Sequence, residues 1–86
     1  MPAIWKFPLD HKSGPQTVKG PGLGVALHFD HQVGELFAWM KVHPGEDEVE
    51  RRLLIAGTGH EIPDDWRHVG SVQSGGFVWH LFQEWM

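Results

Sequence analysis

Seven histidines in 86 residues make imidazole the natural starting point for any chemistry in this chain. His28-Phe29-Asp30-His31 places three potential metal ligands within four residues. On a strand, His28 and Asp30 share a face at a spacing of two. His60 or His80 could bring another ligand from a neighbouring strand, giving a tetrahedral site of imidazoles and carboxylate. No second motif with metal spacing accompanies them, so the expectation is a surface pair beside a turn, with no metal. His60 follows Gly57-Thr58-Gly59, where glycines can take positive φ and tighten a turn. His80 is expected on a strand face opposite Trp79. Each ring either stays neutral and satisfied by a backbone partner, or the two converge in one pocket as a proton-transfer or ligand-binding pair. The second outcome would make this a small-ligand or metal-binding protein using His60 and His80.

Other routes to catalysis find less support. There is no cysteine, which excludes disulfides, thiolate metal sites and a thiol nucleophile. No Gly-x-Ser-x-Gly elbow occurs. Ser71 and Ser74 fall in hairpin contexts with no evident base. Asp64 and Asp65 are adjacent, so their carboxylates point apart in an acidic turn. The run Gly20-Pro21-Gly22-Leu23-Gly24 leads into a strand, so no helix N-terminus follows it to receive a phosphate. The chain therefore reads as a non-enzyme with no catalytic residues and no cofactor.

Charge carries the stronger functional hint. The formal net charge is −4, which argues against a general nucleic-acid binder with a basic face. Glu46, Asp47, Glu48 and Glu50 form one acidic group. Glu61, Asp64 and Asp65 form a second, one strand further on. Acidic loops on a small domain can solubilise it, or can engage a basic protein surface. Under the second reading Glu46, Asp47, Glu48, Asp64 and Asp65 contact a host protein, and Trp66 anchors it. The start Met1-Pro2-Ala3-Ile4-Trp5-Lys6 lacks the pattern of a signal peptide, and no apolar run reaches membrane-spanning length. A cytoplasmic protein with no membrane contact is the expectation.

These residues must be positioned by short elements. Turn signals at Ser13-Gly14-Pro15, Gly20-Pro21-Gly22, Val33-Gly34, Pro44-Gly45, Gly57-Thr58-Gly59, Pro63-Asp64-Asp65 and Ser74-Gly75-Gly76 leave segments of about four to eight residues, which is strand length. Trp5, Phe7 and Leu9 share a face, and Pro8 marks an edge or bent strand. Gln16 to Lys19 could pair with that strand. Val25, Leu27 and Phe29 oppose His28 and Asp30. After the turn at His31-Gln32-Val33-Gly34, Leu36, Ala38, Met40 and Val42 oppose Phe37, Trp39 and Lys41. The segment from Glu46 to Ala56 is open to two readings, a short helix or a charged turn with a strand from Arg51. Its neighbours favour the strand. His68 to Val72 and Phe77 to Phe82 form a last hairpin. Phe77 to Phe82 is apolar on both faces, as a central strand would be. The fold class is all-β, with at most one short helical turn. A single antiparallel sheet of six to seven short strands, folded over or barrel-like, makes one domain over residues 1–86. Trp5, Trp39 and Trp79 are expected in its core.

The same landmarks resemble a family of small, uncharacterised phage and prophage proteins. Ile4-Trp5-Lys6-Phe7, Gln16-Thr17, Leu36 to Trp39 and the acidic turn from Pro44 to Glu50 occur in the family's order. Gly57-Thr58-Gly59-His60-Glu61-Ile62 and Gly70 to Phe82, with Gly75-Gly76-Phe77-Val78-Trp79-His80, complete it. The resemblance implies a phage context and a small β-domain, and supports a strand from Arg51 to Ile55. It implies no activity. Phage context, small size and acidity together give the binding-module reading its most concrete form, an inhibitor of a host nucleic-acid-handling or defence complex, of the anti-CRISPR type. His11, His28, His31 and His43 and the Trp85-Met86 end depart from the family pattern.

Overall fold

The structure is a computed structural model and describes residues 1–12 and 14–85. Seven strands follow one another: β1 (Ala3–Leu9), β2 (Gly14–Pro21), β3 (Ala26–Gln32), β4 (Glu35–Val42), β5 (Glu48–Gly57), β6 (Arg67–Ser74) and β7 (Phe77–Gln83). No described residue is helical. No helix is therefore long and apolar enough to cross a membrane. The strands form two antiparallel sheets, ordered β1-β4-β3 and β2-β5-β7-β6, and no barrel closes. Ser13 of the expected Ser13-Gly14-Pro15 turn, and Met86, lie outside the described residues, whereas Gly14 and Pro15 open β2.

One core lies between the sheets. Leu36, Ala38, Met40 and Val42 enter it from β4, as their alternation requires, and meet Leu53 and Ile55 of β5 and Leu81 of β7. The segment from Glu46 to Ala56 resolves as a strand, beginning at Glu48. The β3–β4 connection is a two-residue turn with positive φ at both Val33 (50°) and Gly34 (79°). That geometry matches the twist of a tight hairpin.

Several expectations are corrected. β2 pairs with β5, and not with β1. The chain leaves the first sheet after Leu9 and enters the second, so Val18 packs in the core from the opposite side. Leu27 does not share the inward face of Phe29. A register shift between Ala26 and His28 turns Ala26 and Phe29 into the core and leaves Leu27 half exposed. None of Trp5, Trp39 and Trp79 is buried. Trp5 is 44% exposed on an edge strand, Trp39 points outward from β4, and Trp79 packs against the core only half-buried, with the His11 ring stacked on it at 6.2 Å. Aliphatic side chains and Phe29 fill the space between the sheets, and Phe7 and Trp79 pack against it partly buried.

The connection from β5 to β6 sets up the functional surface. Both strands run antiparallel to β7, which lies between them, so they are parallel to each other. A parallel pair needs a crossover. The inner face is core, so residues 58–66 cross the outer face of the four-stranded sheet. This explains the unbroken apolar run in β5: Leu53 and Ile55 face the core, and Leu54 and Ala56, on the outer side, are buried too.

Candidate functional site

The crossover brings together residues far apart in sequence. Thr58 at its start reaches His80 of β7, with Oγ1 at 3.2 Å from Nε2. His80 Nδ1 lies 2.7 Å from Ser71 Oγ on β6, its directly paired neighbour. Ser71 Oγ in turn lies 3.2 Å from His68 Nε2. Thr58, His80, Ser71 and His68 thus form one chain of hydrogen bonds across the sheet. The expectation that Ser71 has no neighbouring base is overturned. Only the register of the β6–β7 pairing, invisible in the sequence, brings them together. Both ring nitrogens of His80 thus face hydroxyl oxygens, Thr58 Oγ1 and Ser71 Oγ.

His60 is placed differently. Its ring packs on Gly57, where an added Cβ would come within 3.2 Å of Cε1. The Gly57 N–H donates to His60 Nδ1 at 3.0 Å, which assigns the proton of a neutral ring to Nε2. His60 lines a cleft of about 400 Å³ with Gly57, Thr58, Phe77, Val78 and Trp79. His80 is not among its walls. The two histidines therefore contact neighbouring residues of the Gly57-Thr58 turn and do not line one pocket.

The acidic residues are exposed. The turn bearing Glu46 and Asp47 is pinned by its backbone: Gly22 N–H donates to Asp47 O and His43 N–H to Pro21 O, both at 2.8 Å. Gly22 has φ of 51°, and an added Cβ would meet His43 Cβ at 2.8 Å, so this contact needs glycine. Glu48 and Glu50 continue on the outer side of β5, where Glu50 pairs with Lys19 at 3.4 Å. Asp64 and Asp65 form the turn near the end of the crossover. Arg67 pairs with Gln83, and Gln83 with Leu53, so the chain returns level with the middle of β5. Glu46 and Asp47 thus lie in the connection between the two sheets, Glu48 and Glu50 on β5, and Glu61 near Gly14 and Ala56 at the other end of that strand.

Trp66 is half-buried. The Arg52 guanidinium lies 5.4 Å from its ring centroid and pairs with Glu84 at 3.3 Å. Trp66 therefore helps fix the crossover to β5. The most exposed tryptophan here is Trp85, at 63%. With Glu50, Arg51, Arg52 and Glu84 it lines a cleft of about 230 Å³. Sequence reasoning missed this group, because the pairing of Leu53 with Gln83 places Arg52 beside Glu84.

His28 and Asp30 lie on the other sheet, with Nε2 and Oδ2 3.5 Å apart. Chiefly the backbone N–H of His31, and then His28, hold the Asp30 carboxyl below its ordinary pKa. Among the described residues no three histidine or carboxylate side chains are grouped to hold a metal ion.

Fold and surface define a small two-sheet β-domain with a crossover loop over one face. The chain belongs to the family described as a domain of unknown function, DUF7352, which matches residues 1–86. No curated protein and no solved structure matches it.

Proposed function

We propose that this protein is a non-enzymatic binding module whose contact surface is the acidic side of the four-stranded sheet. The observation that carries this is an exposed Trp85 beside a cleft bordered by Glu50, Arg51, Arg52 and Glu84. An aromatic anchor with a charged rim is the usual composition of an interface centre and its surround. Glu46, Asp47, Glu48, Asp64 and Asp65 supply negative charge around it and steer a basic protein surface towards it. Trp66, secured by Arg52, adds a second ring. The partner is a host protein with a basic surface. The resemblance to phage proteins, the small size and the acidity favour a component of a nucleic-acid-handling or defence complex, inhibited in the cytoplasm by blocking the surface that nucleic acid would use.

Affinity purification from cells expressing the protein tests this, with Trp85→Ala as the comparison. A basic partner recovered by the wild type and lost by a folded Trp85→Ala variant supports the reading. Equal recovery by both removes Trp85 from the contact.

A second reading, small-ligand binding through His60 and His80, draws on the cleft that His60 lines beside Phe77 and Val78. His80 stands outside that cleft and touches its wall through Thr58. A ligand there would shift the His60 ring resonances and leave those of His68 unmoved.

A further inference from the structure

The outer face of the three-stranded sheet departs from the polar surface that a solvated sheet face carries. β4 turns Glu35, Phe37, Trp39 and Lys41 outward, because its alternate residues fill the core. Ile4 on β1 is 61% exposed and Leu27 on β3 is 50% exposed. The His28 and Phe37 rings flank Trp39, at 5.2 and 6.2 Å. Lys6 Nζ passes over Phe37, 4.6 Å from its centroid. At the Lys41 end the face sinks into a cleft of about 420 Å³, walled by Pro2, Ala3, Ile4 and Leu27. At the other end the hairpin tip presents Val33, fully exposed.

We propose that this face is a self-complementary interface that binds a second copy of the chain. The outward pattern of β4 reverses sign about its middle. Phe37 and Trp39 stand one position either side of Ala38, and Glu35 and Lys41 stand three either side. A two-fold axis over Ala38, lying between the faces and perpendicular to the strands, sets β4 antiparallel on the same strand of the other copy. Phe37 then meets the partner's Trp39, and Glu35 meets the partner's Lys41, each contact occurring twice. Asp30 is paired in register with Phe37, and His28 with Trp39, so the same axis sets Asp30 over the partner's His28. It also carries the Val33 tip towards the partner's apolar cleft, which gives that exposed β-branched side chain a role. An axis along the strands would instead stack glutamate on glutamate and lysine on lysine at positions 35 and 41. Charge thus selects the first arrangement. Three residues of strand span about 10 Å, and an angle of about 30° between packed sheets displaces those ends by about 5 Å, which a lysine side chain bridges. Trp85 of the contact proposed above adjoins this face at Leu27, in a cleft that Glu35 and Lys41 do not line, so charge changes at those two positions test the pairing separately from that contact.

Sedimentation equilibrium of the whole chain tests the pairing. The wild type is expected to dimerise in a concentration-dependent manner. Glu35→Lys and Lys41→Glu each set like charges together and weaken the dimer by roughly tenfold. The double variant Glu35→Lys/Lys41→Glu exchanges the signs and restores the wild-type constant. Both positions are exposed, so the variants fold. A wild type that remains monomeric overturns the proposal, as does a dimer that ignores the single reversals or is not rescued by the double one. A monomer that holds a different molecule through Trp39 also overturns it and assigns the face to a partner of other chemistry.

Discussion

Gln83 accepts the backbone N–H of Ala26 at 2.7 Å from across the junction of the two sheets. Its side-chain amide donates to Gly24 O at 3.0 Å, and Arg67 donates to Ala26 O and to Gln83 Oε1, at 2.6 and 3.1 Å. β3 and β6 lie side by side here without a ladder: a Cβ on Gly70 would meet Phe29 Cβ at 3.6 Å. Gln83, 1% exposed, supplies the hydrogen bonds that a ladder would have supplied.

Gln83→Leu should therefore cost roughly 3 kcal/mol, since it leaves a buried N–H, a carbonyl and a guanidinium short of partners. Chemical denaturation measures this. A loss below about 1 kcal/mol would mean that water replaces the amide.

Val33→Asn should stabilise the fold by about 1 kcal/mol. Valine at φ of 50° is strained, and asparagine is favoured at that turn position. Thermal unfolding at concentrations too low for self-association is the measurement. An unchanged midpoint would show that the turn relaxes around valine.

Asp30 supplies a pH dependence. Its folded pKa lies below 3.8, chiefly through the His31 N–H. The stabilisation is complete above the unfolded pKa and disappears as pH falls through the lower folded value. Acid unfolding of Asp30→Asn should accordingly lack part of the wild-type loss below about pH 4. A carboxyl titration of Asp30 with an ordinary midpoint would remove that basis.

The strands and their inward residues were legible where alternation is strict and turns are marked, as in β4 between Val33-Gly34 and Pro44-Gly45. What the sequence hid depends on register between distant segments. The polar chain from Thr58 to His68 exists because β7 inserts between β5 and β6. The placement of Gln16 to Lys19 against β5 follows from a chain that changes sheets after Leu9. The tryptophans misled for a physical reason: the core is filled by aliphatic side chains and Phe29, Trp79 only packs against it, and Trp5 sits on an edge strand. The acidic residues were legible as groups, but their places in the fold depend on the sheet change before β5 and on the crossover after it.

The acidic, tryptophan-bearing side is proposed to engage a basic partner. The most direct test measures association and dissociation rates against the partner recovered by affinity purification, at low and raised salt. Charge reversal at Glu46, Asp47 and Glu48 should slow association, as should salt, because the Debye length is about 8 Å at physiological ionic strength. Trp66→Ala and Trp85→Ala, both still folded, should speed dissociation, each costing at least about 2 kcal/mol of binding. Rates indifferent to salt and to the acidic reversals would contradict the claim, and so would a Trp66→Ala protein that unfolds together with a Trp85→Ala protein that binds normally.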